Sequence, residues 1–204
     1  MGTSGEDIRM ETMDQERHIL ITGFGGQGII MAGDILGKAA TLYDHKFATM
    51  TQAYGPEARG GACSAQVIIS GEDVLFPHVK NPEVLICLSQ EGYSRNIDSL
   101  RRNGLLIWDT DLVRTKKHSP RWTTCHIPAT RFAEELGNKM MANIVSLGFL
   151  AVMSDLVSRE ALRKAVLSSV PEATREINAR AFERGLEYGE AILKSRSKQV
   201  SQED

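Results

Sequence analysis

Short apolar runs alternate with amphipathic segments along most of the chain, a pattern typical of strands that alternate with helices. Residues 84–88 are almost continuously apolar, as expected of a strand that is covered on both faces. We predict strands over residues 18–22, 46–52, 62–69, 84–88, 105–108 and 123–127. Because helical segments separate most of these runs, the sheet should be mainly parallel.

Helical periodicity fills the intervals between the strands and the whole C-terminal third. We predict helices over residues 29–43, from Gln90 to a closing Gly104, from about Thr130, and over 143–153, 158–170 and 174–195, with Ser158 as an N-cap. The fold class is therefore α/β: a single Rossmann-like domain over residues 18–195, with a mainly parallel sheet flanked by helices and a helical C-terminal third. The polar segments 1–17 and 196–204 are predicted to be flexible tails.

Composition and charge exclude several classes of function. The 204 residues carry a formal net charge of −2, and no window is dense in Lys and Arg, so nucleic acid is not an expected partner. The three cysteines, Cys63, Cys87 and Cys125, form no C-x-x-C pair, so we predict no metal site in this chain. Their odd, sparse count fits a reducing compartment, and no stretch has the length of a signal peptide or a membrane span. We predict a cytoplasmic protein with no membrane contact.

A glycine-rich loop lies between the first predicted strand and the first predicted helix. Gly23-Phe24-Gly25-Gly26-Gln27-Gly28 satisfies the pattern G-x-G-x-x-G in the context that this pattern requires. A dinucleotide site would also need an acid at the tip of the second strand, where the sequence is Ala48-Thr49-Met50-Thr51. The loop could therefore serve close packing of helix on strand, bind a phosphate, or contact a partner's backbone.

A second loop follows the next predicted strand, at the edge where ligands of open α/β sheets bind. It consists of Gln52-Ala53-Tyr54-Gly55-Pro56-Glu57-Ala58-Arg59-Gly60-Gly61. Glu57 and Arg59 are either a solvated turn pair or part of a binding surface. Cys63 follows this loop, and its place in an alternating strand favours a buried thiol over a nucleophile.

These residues resemble a known family. The glycine loop, the segment from Gln52 to Gly61, Gln90-Glu91-Gly92-Tyr93 and Asn143-Ile144-Val145-Ser146-Leu147-Gly148 are similar to the gamma subunit of 2-oxoacid:ferredoxin oxidoreductases. The amino-acid sequence of the second loop is most similar to that of the 2-oxoglutarate branch of this family. The resemblance implies an oxidoreductase subunit that is inactive alone, in a complex that decarboxylates a 2-oxoacid to its acyl-CoA and passes electrons to ferredoxin.

The resemblance also implies partners and cofactors. Thiamine diphosphate, magnesium and [4Fe-4S] clusters would lie on alpha and beta subunits or on a ferredoxin-like delta subunit, coenzyme A would be a substrate, and this chain would bind no cofactor alone. The residues that we expect to face the cofactor cavity or an interface are Gly23, Gly25, Gly26, Gln27, Gly28, Gln52, Tyr54, Glu57, Arg59, Gly60 and Asn143. The alternatives are a stand-alone nucleotide-binding dehydrogenase or sensor, which would rest on the glycine loop alone, and a purely structural assembly subunit.

Overall fold

The computed structural model describes residues 16–55, 61–116 and 119–203, which form a six-stranded sheet with helices on both faces. The strands are β1 (Arg17–Phe24), β2 (Phe47–Tyr54), β3 (Ala62–Ser70), β4 (Val84–Cys87), β5 (Leu105–Asp109) and β6 (Thr123–Ile127). The helices are α1 (Ile29–Lys38), α2 (Gln90–Asn96), α3 (Ala129–Glu135), α4 (Ala142–Met153), α5 (Arg159–Ser169) and α6 (Arg175–Glu203). No described helix combines the length and the apolar character that crossing a bilayer requires.

The order of strands in the sheet is β2-β3-β1-β4-β5-β6. The pairs β1–β4, β4–β5 and β5–β6 are parallel, which confirms the predicted α/β class. Strand β3 is the exception, because it lies between β2 and β1 and runs antiparallel to both. The carboxyl ends of β1, β2, β4, β5 and β6 therefore lie at the same end of the sheet. Strand β3 runs in the opposite direction, so its first residues lie there.

Helix α4 lies in the interior, because its residues from Ala142 through Ala151 are all buried. Two glycines allow it to pack very closely against α6. A Cβ atom on Gly148 would overlap the carbonyl oxygen of Phe182, and one on Gly185 would overlap the carbonyl oxygen of Val145. Since both obstacles are backbone atoms, neither could move aside without separating the two helices.

Most predicted elements are present, with corrections at their ends. Ser158 caps α5 as predicted, since its Oγ accepts a hydrogen bond from the Ala161 N–H at 3.1 Å. Helix α1 ends at Lys38 and a π-helical turn, Ala39–Tyr43, continues it, so the predicted helix over 29–43 contains two helical types. The prediction that Gly104 closes a helix is wrong, because α2 ends at Asn96 and a 3-10 turn, Ile97–Ser99, follows it.

The flexible tails stay a prediction, but the bounds of two elements near the chain ends differ from those predicted. Residues 1–15 lie outside the described part, but Arg17 belongs to β1 and its guanidinium contacts the Glu83 carboxylate at 2.6 Å. At the other end, α6 continues to Glu203, past the predicted end at residue 195. No Gly or Pro follows that position to stop the helix, and Arg196 donates a hydrogen bond to the carbonyl oxygen of Thr124 at 2.9 Å.

Candidate functional site

The glycine loop joins the carboxyl end of β1 to α1 and is fixed by the side chain of Gln27. Oε1 of Gln27 accepts a hydrogen bond from the Phe24 N–H at 2.6 Å, and its Nε2 donates to the carbonyl oxygen of Leu88 at 2.8 Å. The amide therefore ties the loop both to its own start and to the segment that follows β4. The sequence predicted that Gln27 faces the cofactor cavity or an interface, which stays a prediction. The two bonds show that its side chain holds the glycine loop in place.

Two glycines of the loop are required by its conformation and by its close contacts. Gly28 has a φ of +70°, and a Cβ atom there would overlap the Asn143 amide nitrogen. A Cβ atom on Gly23 would lie 2.5 Å from Oε1 of Gln27 and 2.5 Å from Cδ1 of Ile29. Close packing, one of the three roles that the sequence left open for the glycine loop, is therefore present at Gly23 and at Gly28.

Asn143 fastens the glycine loop to the buried helix α4. Its Nδ2 donates to the carbonyl oxygen of Gly28 at 3.0 Å, and its Oδ1 accepts from the Ile144 N–H at 2.8 Å. The residue is 3% exposed and lies behind the glycine loop, where it also lines a cleft of about 240 Å³. Asn143 is also not the N-cap of α4, since Met141 holds that position.

The two predicted loops lie side by side. The Gly25 N–H donates to the carbonyl oxygen of Gly61 at 2.9 Å, and the Gly55 N–H donates to that of Ala62 at 2.6 Å. These bonds fix both ends of the second loop next to the glycine loop. Glu57, Arg59 and Gly60 lie outside the described residues, so only the ends of their loop are placed.

Gln52 and Tyr54 are at the end of β2 that leads into the second loop. Both are exposed, Tyr54 at 66%, and the Tyr54 hydroxyl donates to Oε1 of Gln52 at 3.1 Å. The structure therefore brings together the glycine loop, Gln52 and Tyr54 at one edge of the sheet, with Asn143 behind them.

Clefts border the glycine loop at three places: one of about 240 Å³ lies at Gly28 and Asn143, and two others lie at Gly25–Gln27 and at Gly23. The larger, of about 520 Å³, lies beside Gly25, Gly26 and Gln27. Its other walls are Leu112, Thr130, Glu134, Lys139, Met140 and Ala142. The smaller cleft, of about 170 Å³, lies between the end of β1, the end of β2 and α2, and Arg95 and Cys63 line it. No sequence signal pointed to Lys139 or Met140, because their place depends on how α3 and α4 pack.

Among the described residues near these clefts, Cys63 and Asp109 have side chains whose pKa is raised. Burial raises the pKa of the Cys63 thiol, which keeps it protonated at neutral pH. Burial also raises the pKa of the Asp109 carboxyl, although hydrogen bonds from Thr130 and Asp111 oppose that rise. The Asp109 carboxylate accepts bonds from Thr130 N–H at 2.8 Å and Oγ1 at 2.6 Å, so it holds the start of α3 in place.

The geometry also differs from that of a dinucleotide site. In such a site a parallel strand lies next to the first strand and carries an acid at its carboxyl end. Here the antiparallel strand β3 occupies that place, and its first residues are Ala62 and Cys63. The Gly25 N–H, moreover, is already bonded to Gly61. Within the described ranges, no three His, Cys, Asp or Glu side chains are placed to hold a metal ion.

Comparisons with known proteins agree with this arrangement. A family model described as pyruvate ferredoxin/flavodoxin oxidoreductase matches residues 18–188. The 2-oxoglutarate synthase subunit KorC of Methanocaldococcus jannaschii is 48% identical over 178 residues, which cover 86% of this chain and 95% of that subunit. The ketoisovalerate oxidoreductase subunit VorA of Methanothermobacter thermautotrophicus is 32% identical over 85% of this chain but only 36% of its own length.

Among solved structures, the gamma subunit of a keto/oxoacid ferredoxin oxidoreductase from Geobacter sulfurreducens has the same fold. It is 40% identical to this chain, with a TM-score of 0.75, and the match covers 86% of this chain and 99% of that one.

Proposed function

The chain belongs to the pyruvate ferredoxin/flavodoxin oxidoreductase family, as a gamma subunit of a 2-oxoacid:ferredoxin oxidoreductase, and we propose that its complex is a 2-oxoglutarate synthase. The observation that carries the choice of substrate is the 48% identity to a KorC subunit over nearly all of that subunit's length. The match to a ketoisovalerate oxidoreductase subunit is weaker and covers about a third of that protein. Residues 18–195 would form the gamma-type domain.

The proposed reaction is the oxidative decarboxylation of 2-oxoglutarate to succinyl-CoA and carbon dioxide, with two electrons passed to ferredoxin. Thiamine diphosphate with magnesium would supply the decarboxylation chemistry, and [4Fe-4S] clusters the electron transfer, both on alpha and beta subunits or a ferredoxin-like delta subunit. The described residues of this chain offer no set of ligands for such a metal group, so we assign it none. A cytoplasmic location is part of the proposal, since three sparse cysteines fit a reducing compartment.

The contribution of this chain would be to shape access to the cofactor cavity. The glycine loop is held rigidly by Gln27 and Asn143, and the second loop begins and ends against it. Glu57, Arg59 and Gly60 would then face the neighbouring subunits at this edge. The planar guanidinium of Arg59 can form two parallel bonds to a carboxylate or phosphate, as 2-oxoglutarate and coenzyme A would offer.

The experiment is coenzyme A-dependent viologen reduction by the co-expressed complex, prepared with and without this chain and assayed with a panel of 2-oxoacids. We expect activity with 2-oxoglutarate that is lost when this chain is omitted. A preference for another 2-oxoacid would contradict the choice of substrate, and unchanged activity without the chain would contradict its role as a subunit. Binding of NADH or a flavin by the isolated chain would favour a nucleotide-binding protein instead.

Two matched variants test the second loop. Arg59→Lys keeps the charge but loses the two-pronged geometry, so it should raise the KM for 2-oxoglutarate or coenzyme A by about tenfold, the equivalent of one charge-assisted bond. Arg102→Lys is the control, because Arg102 is exposed at the opposite edge of the sheet, just before β5. Equal KM values for the two variants would show that Arg59 makes no such contact.

A further inference from the structure

Among the described residues, strand β2 forms one edge of the sheet and pairs only with β3. The bond from the Gly55 N–H to the carbonyl oxygen of Ala62 fixes which residues of β2 bond to that strand. Because hydrogen-bonded pairs alternate along an antiparallel ladder, the odd-numbered residues of β2 bond to β3. The N–H and C=O groups of Ala48, Met50, Gln52 and Tyr54 therefore point away from the sheet, and no partner for these N–H groups is found in the described part of the chain.

This edge also lacks the usual protection against pairing. Exposed edge strands are normally short or carry a charge, a proline or a bulge that prevents another strand from adding to them. Strand β2 has eight residues, Phe-Ala-Thr-Met-Thr-Gln-Ala-Tyr, and its register with β3 runs without interruption from Phe47 to Tyr54. None of these side chains is charged. An unprotected edge of this length is typical of a strand that is covered in the assembled protein.

Apolar side chains extend the surface beside this edge. The segment after β3 crosses the sheet face opposite α1, where the Thr51 hydroxyl donates to the carbonyl oxygen of Pro77 at 3.3 Å. Leu75 and Phe76 in that segment are 78% and 79% exposed, and Phe47 at the start of β2 is 45% exposed. These three exposed apolar side chains extend the uncharged surface of β2.

We propose that β2 is a docking strand, to which an extended and uncharged segment of a neighbouring subunit adds as a seventh strand. The unpaired backbone groups require an occupant in extended form, and the absence of charge on β2 favours an occupant without charge. The proposal rests on the proposed function, because β2 leads directly into the loop of Glu57 and Arg59, for which we proposed a place against the neighbouring subunits. A strand from the subunit facing that loop would make one continuous interface with it.

The first test removes one outward-facing N–H. In Gln52→Pro the lost N–H is not bonded to β3, so the isolated variant should keep its fold, whereas strand addition should be blocked. Gln52→Ala is the matched control, since it removes the side chain but keeps the N–H. We expect Gln52→Pro to lower the amount of chain that co-purifies with the co-expressed subunits at least about tenfold relative to Gln52→Ala, the equivalent of roughly 1.4 kcal/mol, because the two variants differ in the backbone N–H and both lack the glutamine side chain. Assembly of folded Gln52→Pro at the level of Gln52→Ala overturns the proposal.

The second test needs no variant and uses amide hydrogen exchange at single-residue resolution. In the isolated chain, the amides of Ala48, Met50 and Gln52 should exchange fast and those of Thr49 and Thr51 slowly. In the complex all five should be protected. Wild-type chain that assembles while the even-numbered amides still exchange fast overturns docking at β2 and leaves the proposed function intact.

The remaining outcomes are also distinct. Wild-type chain that never co-purifies with the other subunits overturns the proposed function and this proposal with it. Protection of the even-numbered amides in the isolated chain that increases with its concentration shows that a second copy is the occupant, which overturns the assignment to a neighbouring subunit.

Discussion

The substitution Gly185→Ala tests how closely α4 and α6 are packed. A Cβ atom at Gly185 would overlap the carbonyl oxygen of Val145 and would lie 2.9 Å from the backbone nitrogen of Phe149. Both atoms belong to the backbone of a buried helix, so no change of rotamer can relieve the overlap. The two helices would have to move apart by about 1 Å, which would loosen the packing of the fully buried Phe149 and Phe182.

The expected magnitude combines two opposing effects. Overpacking of a well-packed core costs about 1–3 kcal/mol, and the upper end applies here because the obstacles are rigid. Replacing Gly by Ala inside a helix gains about 1 kcal/mol. The net loss in the free energy of unfolding should therefore be about 2 kcal/mol, which for a domain of this size lowers the melting temperature by about 4–8 °C.

Gly37→Ala is the matched control, because a Cβ atom at Gly37 in α1 would meet nothing within 4 Å. It should raise the free energy of unfolding by about 0.5–1 kcal/mol. Both variants can be compared with the wild type by urea denaturation of the isolated chain and by its thermal unfolding. If Gly185→Ala were as stable as Gly37→Ala, the close crossing of α4 and α6 would be refuted.

Three further predictions concern hydrogen bonds, pH and ion pairs. Asn143→Ala should lower the free energy of unfolding, measured by urea denaturation, by about 1 kcal/mol. The loss is small because the Gly28 carbonyl keeps its bond from the Ala32 N–H. An unchanged free energy of unfolding would show that the bond from Asn143 to Gly28 contributes nothing. Burial raises the pKa of the Cys87 thiol to about 12 from 9.0, so its contribution to stability is full below 9.0 and is lost as the pH rises toward 12. Cys87→Ala should therefore lose less stability than the wild type between about pH 8 and about pH 10, and identical losses would refute this. Glu83→Gln should cost about 1–2 kcal/mol in thermal unfolding, because Glu83 bonds both Arg17 and Arg101; equal melting curves would show that these pairs contribute nothing.

The elements that could be predicted from the sequence are those that a local pattern specifies. The apolar runs 84–88 and 105–108 contain β4 and most of β5, whose residues are all buried. Ser158 precedes a periodic segment and caps α5, because a hydroxyl at that position satisfies a free N–H of the first turn. The glycine loop was predicted from its pattern between a strand and a helix, and it lies there.

The candidate site could be predicted only in part. The side-by-side placement of the two loops depends on the bond from the Gly25 N–H to Gly61. The Gly28 carbonyl accepts a bond from Asn143, which is 115 residues away in the chain. No spacing along the sequence encodes such a contact. The place of Asn143 in a cavity or interface stays a prediction, and what the structure adds is its buried position behind the loop.

The sequence by itself determined which segments are strands or helices and which of their faces are apolar, because burial leaves a period of two or 3.6 residues along the chain. Only the tertiary structure decided what each face packs against. Strand β3 has the same alternation in either direction, so its antiparallel place between β2 and β1 follows from the pairing and not from its residues. Gly148 and Gly185 weaken a helix when they are considered alone. They stabilise this fold because α4 and α6 can approach closely only where both helices lack a side chain.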